Sequence, residues 1–304
     1  MKASVIIRSR DEMARLRLTL ASLADQPAQI IVVDDGSTDA TAAMAGASGM
    51  PLTIVRHPQA RGRSAAANAG AEAASGDLLI FLDGDTLAAP GMVAAHVAAH
   101  AVDAGIVGRG ETWHLRCTRL LADPDSGEAW QNARDRVAAM PASEREGLRI
   151  TREQIRHDFA SVARRGNPGI YPGGAPRRLH ALEMAALRER AGHPSLWAAA
   201  SGSNFSVRRD AFRNAGGFDP GLTINEHREL ALRLVDAGAR MVPIAGARTY
   251  HMIHRSGWRD PLVDTGWEDA FRRRHPAAPL DQLKGWWRAL SDGAAAADWF
   301  DRAD

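Results

Sequence analysis

The chain has 304 residues, 45% hydrophobic and 24% charged, with 38 basic and 36 acidic side chains for a net charge of +2. That is ordinary globular composition, long enough for one large domain or two small ones, and it shows no basic block that would make nucleic acid a partner. The lone Cys117 cannot form an intrachain disulfide, which fits a reducing cytosol. The chain enters a strand almost at once, so no signal peptide is expected. Its longest Ala-rich run, 92–107, carries His96, His100 and Asp103 and is too short and too polar to span a bilayer. The expectation is a soluble, cytoplasmic protein without a transmembrane segment. Of the 38 basic residues 36 are Arg, which with abundant Ala reads as a high-GC bacterial coding bias.

In chain order, Ser4-Val5-Ile6-Ile7 reads as a short buried strand, followed by a polar link, Arg8-Ser9-Arg10-Asp11-Glu12. Leu16, Leu20 and Leu23 then fall at helical spacing. Ile30-Ile31-Val32-Val33 is a second strand running into Asp34-Asp35-Gly36-Ser37-Thr38-Asp39, where Asp34 reads as a structural cap. There Ser37 or Asp39 can cap a helix beginning near Ala40. Leu52-Thr53-Ile54-Val55 is a third strand, followed by Arg61-Gly62-Arg63-Ser64 and an Ala-rich helix over 65–74, in which Asn68 is expected to bond the neighbouring backbone. The fourth strand, Leu78-Leu79-Ile80-Phe81-Leu82, ends in Asp83-Gly84-Asp85. Alternation along an extended chain puts the two carboxylates on one side, where their repulsion is relieved by a hard divalent cation, Mg2+ or Mn2+. Strand and helix alternating in this way argue for a mostly parallel α/β sheet, with ligands at the carboxyl ends of its strands.

The blocks 5–12, 32–38, 61–70 and 79–85 resemble the successive nucleotide-sugar-binding blocks of family 2 glycosyltransferases. Downstream, Ser201-Gly202-Ser203-Asn204-Phe205, Gly216-Gly217-Phe218-Asp219 and Glu229-Leu230-Ala231-Leu232-Arg233 continue the resemblance to about residue 255. It implies a GT-A type, Rossmann-like sheet flanked by helices, with a helical acceptor-side region and a C-terminal helical tail. The implied organisation is a nucleotide-sugar-binding half over 1–110, an acceptor-binding and catalytic half over 111–257, and a Trp-rich extension over 258–304. By the resemblance Ser9 and Asp35 contact the uracil or ribose, Arg63 lies by the base or diphosphate, Asp83 sits by the ribose and the metal, and Asp85 holds the metal that bridges the donor phosphates. His251 is the implied further metal ligand, with His254 supporting it or facing solvent.

From 111 to 200 the strand–helix rhythm is lost; 134–139 and 144–159 read as polar helices, and 167–176, with three Pro and three Gly, as a loop. Tyr171 and Trp197 are candidates for stacking on an acceptor ring or for core roles. His96 and His100, four apart on a helix, lack a third metal ligand and read as surface or core residues. A departure from the family stands at Glu226-His227-Arg228-Glu229-Leu230, where His227 replaces the Asp that resembles the general base. Glu226, placed slightly ahead, or His227 then takes the acceptor proton; an imidazole with a pKa of about 6.5 is also suited to that task. A nucleophilic acceptor such as an amine, or a loss of catalysis, are the other readings. Five of the eight Trp lie in the tail, which packs on its own domain, forms a homodimer contact or covers the acceptor site.

The reading is a metal-dependent, inverting glycosyltransferase that moves a sugar from a nucleotide-sugar, a UDP-sugar, to a hydroxyl or amine of a small or carrier-bound acceptor. A catalytically silent nucleotide-sugar-binding protein and a retaining GT-A enzyme remain the alternatives.

Overall fold

The computed structural model describes residues 1–43, 49–168, 179–254 and 261–291. Its centre is a mixed sheet of nine strands. Strands β1 (Ala3–Ser9), β2 (Ala28–Asp35), β3 (Thr53–His57) and β4 (Leu78–Asp83) run parallel, with β1 between β2 and β4. Helices α1 (Met13–Leu23) and α2 (Arg63–Glu72) connect them. The two-residue period of an extended chain is visible in the packing. Ile6, Ile31, Val33, Leu79 and Phe81 join one core, whereas Val5, Ile7, Ile30, Val32, Leu78, Ile80 and Leu82 join another on the opposite face. Continuous apolar runs are what a strand covered on both faces requires.

The second half of the chain extends the same sheet. Strand β5 (Thr86–Ala88) and helix α3 (Met92–Val102) lead to β6 (Ile106–Leu115). Strands β7 (Leu121–Asp123) and β8 (Glu128–Ala129) pair separately, and α4 (Arg134–Ala138) follows them. Strand β9 (Asn167–Pro168) pairs with β6, and β10 (Phe205–Arg208) lies antiparallel between β4 and β6. Strand β11 (Arg240–Met252) pairs parallel with β6, and β5 is antiparallel to β11. Phe81 on β4 meets Phe205, Phe212 and Phe218 at ring-centroid distances of 6.0, 5.3 and 5.0 Å, so the family-like Gly-Gly-Phe block is a core anchor.

Several expectations change at this level. The polar link is shorter than expected, because Arg8 and Ser9 continue β1 and are buried. Asn68 bonds a distant segment instead of its neighbours: its amide donates to the Phe218 carbonyl (2.8 Å) and its Oδ1 accepts from the Phe218 N–H (2.9 Å). The helix expected over 144–159 is three short ones, α5 (Ala142–Leu148), α6 (Arg152–His157) and α7 (Phe159–Ala163), the second started by a Thr151–Gln154 capping box. Only a 3-10 turn, Ala40–Ala43, is described where a helix was expected near Ala40.

Trp197 is a core residue, packed against Phe271 at 5.9 Å between ring centroids. His96 and His100 are core residues too: His96 hydrogen-bonds Ser206 and Asn204, His100 bonds Ser206, and burial pushes both rings down to about 4. The tail docks on the domain through Trp267, Phe271, Leu280 and Leu283, all buried in the larger core. Tyr171, Trp258 and Trp299 lie outside the described residues, as do the side chains of Trp286 and Trp287. Among the described residues no helix is long and apolar enough to cross a membrane.

Candidate active site

Helices α8 (Leu179–Glu189), α9 (Arg209–Asn214) and α10 (Glu226–Asp236) belong to the second half of the chain. The carboxyl ends of β1, β2 and β4 open onto one edge of the sheet, where the end of β11 and the N-terminus of α10 join them. Asp35 ends β2, and its carboxylate is held in place from three sides. Oδ1 accepts from the Arg61 N–H (2.8 Å) and pairs with His57 Nδ1 (2.7 Å), and Oδ2 accepts from the Gly62 N–H (2.9 Å). The loop can close this way because Gly36, at φ +72, has no Cβ; one built there would lie 2.5 Å from the Ala60 nitrogen. Asp34 is the structural cap expected, accepting from the Ser37 N–H at 2.9 Å. Ser9, at the end of β1, is buried with a hydroxyl that bonds to no described protein group.

Asp83 and Asp85 diverge into two adjoining clusters. Asp83 is the register partner of Arg8 on the neighbouring strand, and Arg8 Nη2 donates to its Oδ1 at 2.6 Å. The same guanidinium donates to Glu226 Oε1 (3.0 Å) and to the Gly202 carbonyl (3.0 Å). Burial alone weakens the protonated guanidinium, but Asp83 and Glu226 outweigh it, so Arg8 stays charged. The Asp83 N–H in turn donates to Ser203 Oγ at 3.1 Å, which ties the Ser201–Phe205 block to the end of β4.

Asp85 gathers two imidazoles. The Met252 N–H donates to the Asp85 carbonyl at 2.9 Å, and His251 is in register with Thr86, so the end of β11 lies across the β4–β5 turn. This brings Nε2 of His251 to 3.2 Å and Nε2 of His254 to 2.8 Å from Asp85 Oδ2. Burial alone raises the Asp85 carboxyl, but the two imidazoles outweigh it and hold it well below the usual carboxylate range. Burial likewise lowers His251, and Asp85 followed by Asp83 outweighs it and raises the ring above its ordinary value. One ligand atom from each of Asp85, His251 and His254 falls within 4.8 Å of the other two. A carboxylate oxygen with two imidazole nitrogens fits a divalent transition metal such as Mn2+. His254 thus belongs to the cluster, a place the sequence pattern left open.

Glu226 and His227 occupy the first turn of α10. Glu226 is 2% exposed; burial alone raises its carboxyl, but His227, Arg8 and Arg63 together drive it far down. Arg63, the first residue of α2, is thus one of the charges that act on Glu226. Burial lowers the His227 ring below its ordinary value, against the pull of Glu226. Its Nε2 lies 3.1 Å from Arg228 Nη1, an N–H donor, and its Nδ1 lies 3.8 Å from Glu226 Oε2. Since Arg228 can only donate, Nε2 is the accepting nitrogen and the ring proton sits on Nδ1, facing Glu226. Two partners here carried no local sequence signal: Arg8, which bridges positions 75 and 218 residues away, and Arg228, which holds the His227 ring.

Residues 4–111 match the family model described as Glycosyl transferase family 2. A Bacillus subtilis (strain 168) protein described as an uncharacterized glycosyltransferase, YfnE, is 39% identical over 119 residues, 37% of this chain and 30% of that protein. Staphylococcus aureus TarS 1-349 in complex with UDP-GlcNAc matches with a TM-score of 0.59 at 15% identity, over 95% of this chain and 72% of that one. GalNAc-T7 with UDP, GalNAc and Mn2+ matches at 0.57 and 18% identity, over 98% of this chain and 52% of that one. The mannosyltransferase PcManGT of Pyrobaculum calidifontis, with GDP-Man and Mn2+, matches at 0.57 and 15% identity, over 99% and 73%. The chain covers 42% of a longer TarS chain. At these identities the likeness is one of fold, and the fold is of the GT-A type.

Proposed function

Because residues 4–111 match the model of glycosyltransferase family 2, we propose that the chain is a metal-dependent, inverting glycosyltransferase. It moves a sugar from a nucleotide-sugar, a UDP-sugar, to a hydroxyl or amine of a small or carrier-bound acceptor. The observation that carries this reading is the convergence of the Asp85–His251–His254 cluster with Arg8, Asp83 and Glu226 at one sheet edge. Solved structures of the same fold hold UDP-GlcNAc, or UDP and GalNAc with Mn2+, or GDP-Man with Mn2+, which supports a nucleotide-sugar donor and a metal.

Each residue then has a task. Asp35, fixed by two backbone amides and His57, and Ser9, with its unengaged hydroxyl, face the nucleoside. Asp83 receives the ribose, and Arg63 lies toward the diphosphate. Asp85, His251 and His254 would hold the divalent ion, which when bound would neutralise charge on the departing nucleoside diphosphate. The acceptor oxygen or nitrogen attacks the anomeric carbon opposite the diphosphate, the bond to the phosphate oxygen breaks, and the acceptor proton passes to Glu226. Oε1 of Glu226 is engaged by Arg8, so Oε2 is the oxygen that takes the proton, beside the N–H face of His227.

Glu226→Gln tests this assignment: kcat is expected to fall roughly 10²–10⁴-fold, the usual contribution of a positioned base. An equal loss in His227→Asn with full activity in Glu226→Gln would move the role to His227. One observation favours a second reading. The Arg8–Glu226 ion pair neutralises the candidate base inside the protein, as suits a silent nucleotide-sugar-binding protein. In that case the wild type binds donor with metal and neither transfers nor slowly hydrolyses it.

A further inference from the structure

The two imidazoles at Asp85 are held differently. His251 packs edge-on against His114, ring centroids 5.5 Å apart, and its Nδ1 is buried without a hydrogen bond to a described group. His254 presents Nε2 to Asp85, and its Nδ1 lies 3.4 Å from Glu12 Oε1. Glu12 stands where β1 hands over to α1, far from β11 in sequence. Its backbone is fixed, since its carbonyl accepts from the N–H groups of Arg15 and Leu16 at 3.0 and 2.8 Å. Its carboxylate is flanked on the other side by Arg15 at 3.5 Å. Arg15 is anchored in turn by donation to the carbonyls of Leu121 and Ala122 at 2.7 and 3.2 Å.

A neutral imidazole has one N–H and one lone pair, and the partner of one nitrogen decides which is which. A carboxylate beside Nδ1 selects the tautomer whose Nε2 lone pair points at Asp85. We propose that Glu12 is the positioning residue that orients His254 as a metal ligand, making this a two-imidazole, one-carboxylate site. The inference rests on the metal reading of the Asp85 cluster and adds to it an outer carboxylate and a reason for the second imidazole. A site with two nitrogen ligands prefers Mn2+ over Mg2+, which favours oxygen and water.

The test is Mn2+ binding to the full chain, followed by calorimetry and by the electron paramagnetic resonance signal of the free ion, with Mg2+ titrated in parallel. Thermal melting without metal checks that each variant is folded. Glu12→Ala is expected to weaken Mn2+ binding roughly 10–100-fold, the usual effect of removing such an outer partner, and to narrow the preference over Mg2+. Glu12→Gln, which keeps a carbonyl oxygen beside Nδ1, is expected to keep most of the affinity. His254→Ala should weaken Mn2+ binding at least as much, and adding Glu12→Ala to it should cost little more, because the two act through one ligand.

Wild-type affinity in Glu12→Ala or His254→Ala, with binding abolished in Asp85→Asn, overturns the inference and leaves the metal site standing. Fully additive losses in the double variant also overturn it. If the wild type binds no Mn2+ at all, the metal reading falls, and this inference falls with it.

Discussion

Arg8 stands between two carboxylates to which we assign different tasks, Asp83 toward the donor and Glu226 toward the acceptor, and its charge helps to set how basic Glu226 is. Burial alone raises the Glu226 carboxyl, but His227 and then Arg8 outweigh it and hold it far below the ordinary range, so the candidate base stays ionised throughout the working pH range. A base must be unprotonated, so its rate limb falls where pH drops through its pKa. With saturating metal, wild-type kcat/KM is therefore expected to show no acid limb from Glu226 down to the usual carboxylate range. In Arg8→Gln, burial acts on Glu226 with less opposition, its pKa rises, and an acid limb is expected to move up in pH. A pH–rate profile of the two proteins checks this. An unchanged profile in Arg8→Gln would separate Arg8 from the base. The sequence presented Arg8 as part of a polar link because the apolar run stops at Ile7. The register pairing of Arg8 with Asp83 is what turns the strand end into part of the site.

At the scale of elements, helix α10 is fixed to the rest of the protein by buried charge. Glu183, on the helix Leu179–Glu189, is fully buried and bridges Arg109 of β6 (2.7 Å) and Arg228 of α10 (2.8 Å). Arg228 also donates to the carbonyl of Ala198 and to Asn225 Oδ1, both at 2.8 Å, and it is the residue that holds the His227 ring. Removing the centre of a buried ion triad leaves uncompensated charge, so Glu183→Ala is expected to lose about 3–5 kcal/mol of stability. Urea unfolding at pH 7 measures it, and a loss under 1 kcal/mol would mean that Arg109 and Arg228 find other partners. On the opposite side of α10, Glu229 receives Arg233, Arg274 and His275, which clamps the C-terminal helices to the candidate catalytic helix. That tail was expected to pack on its own domain from its Trp content, and Trp267 does so. The partners of Glu183 were not foreseeable, because a Glu at one position of a polar helix looks the same whether it faces water or two arginines.

Across the whole molecule, what the sequence revealed and what it hid divide along the range of the interactions. Apolar runs ending in polar or acidic residues placed β1, β2 and β4, their shared edge, and the ordered blocks placed the GT-A fold, since both rest on local alternation and order along the chain. The site needed contacts across 75 to 242 residues: Arg8 to Asp83, Arg8 to Glu226, and Glu12 to His254. His254 looked interchangeable with a solvent-facing residue until the β4–β5 turn was seen to lie under the end of β11. Asn68 looked local for the same reason, and it ties α2 to the Phe218 turn instead.

The central claim is a metal-assisted nucleotide-sugar site built on Asp85. Calorimetric titration of UDP into the wild type and Asp85→Asn, each with and without Mn2+, tests it most directly. The account predicts UDP binding that requires Mn2+ in the wild type and is lost in the variant. UDP binding of equal strength in both proteins, indifferent to Mn2+, would contradict it.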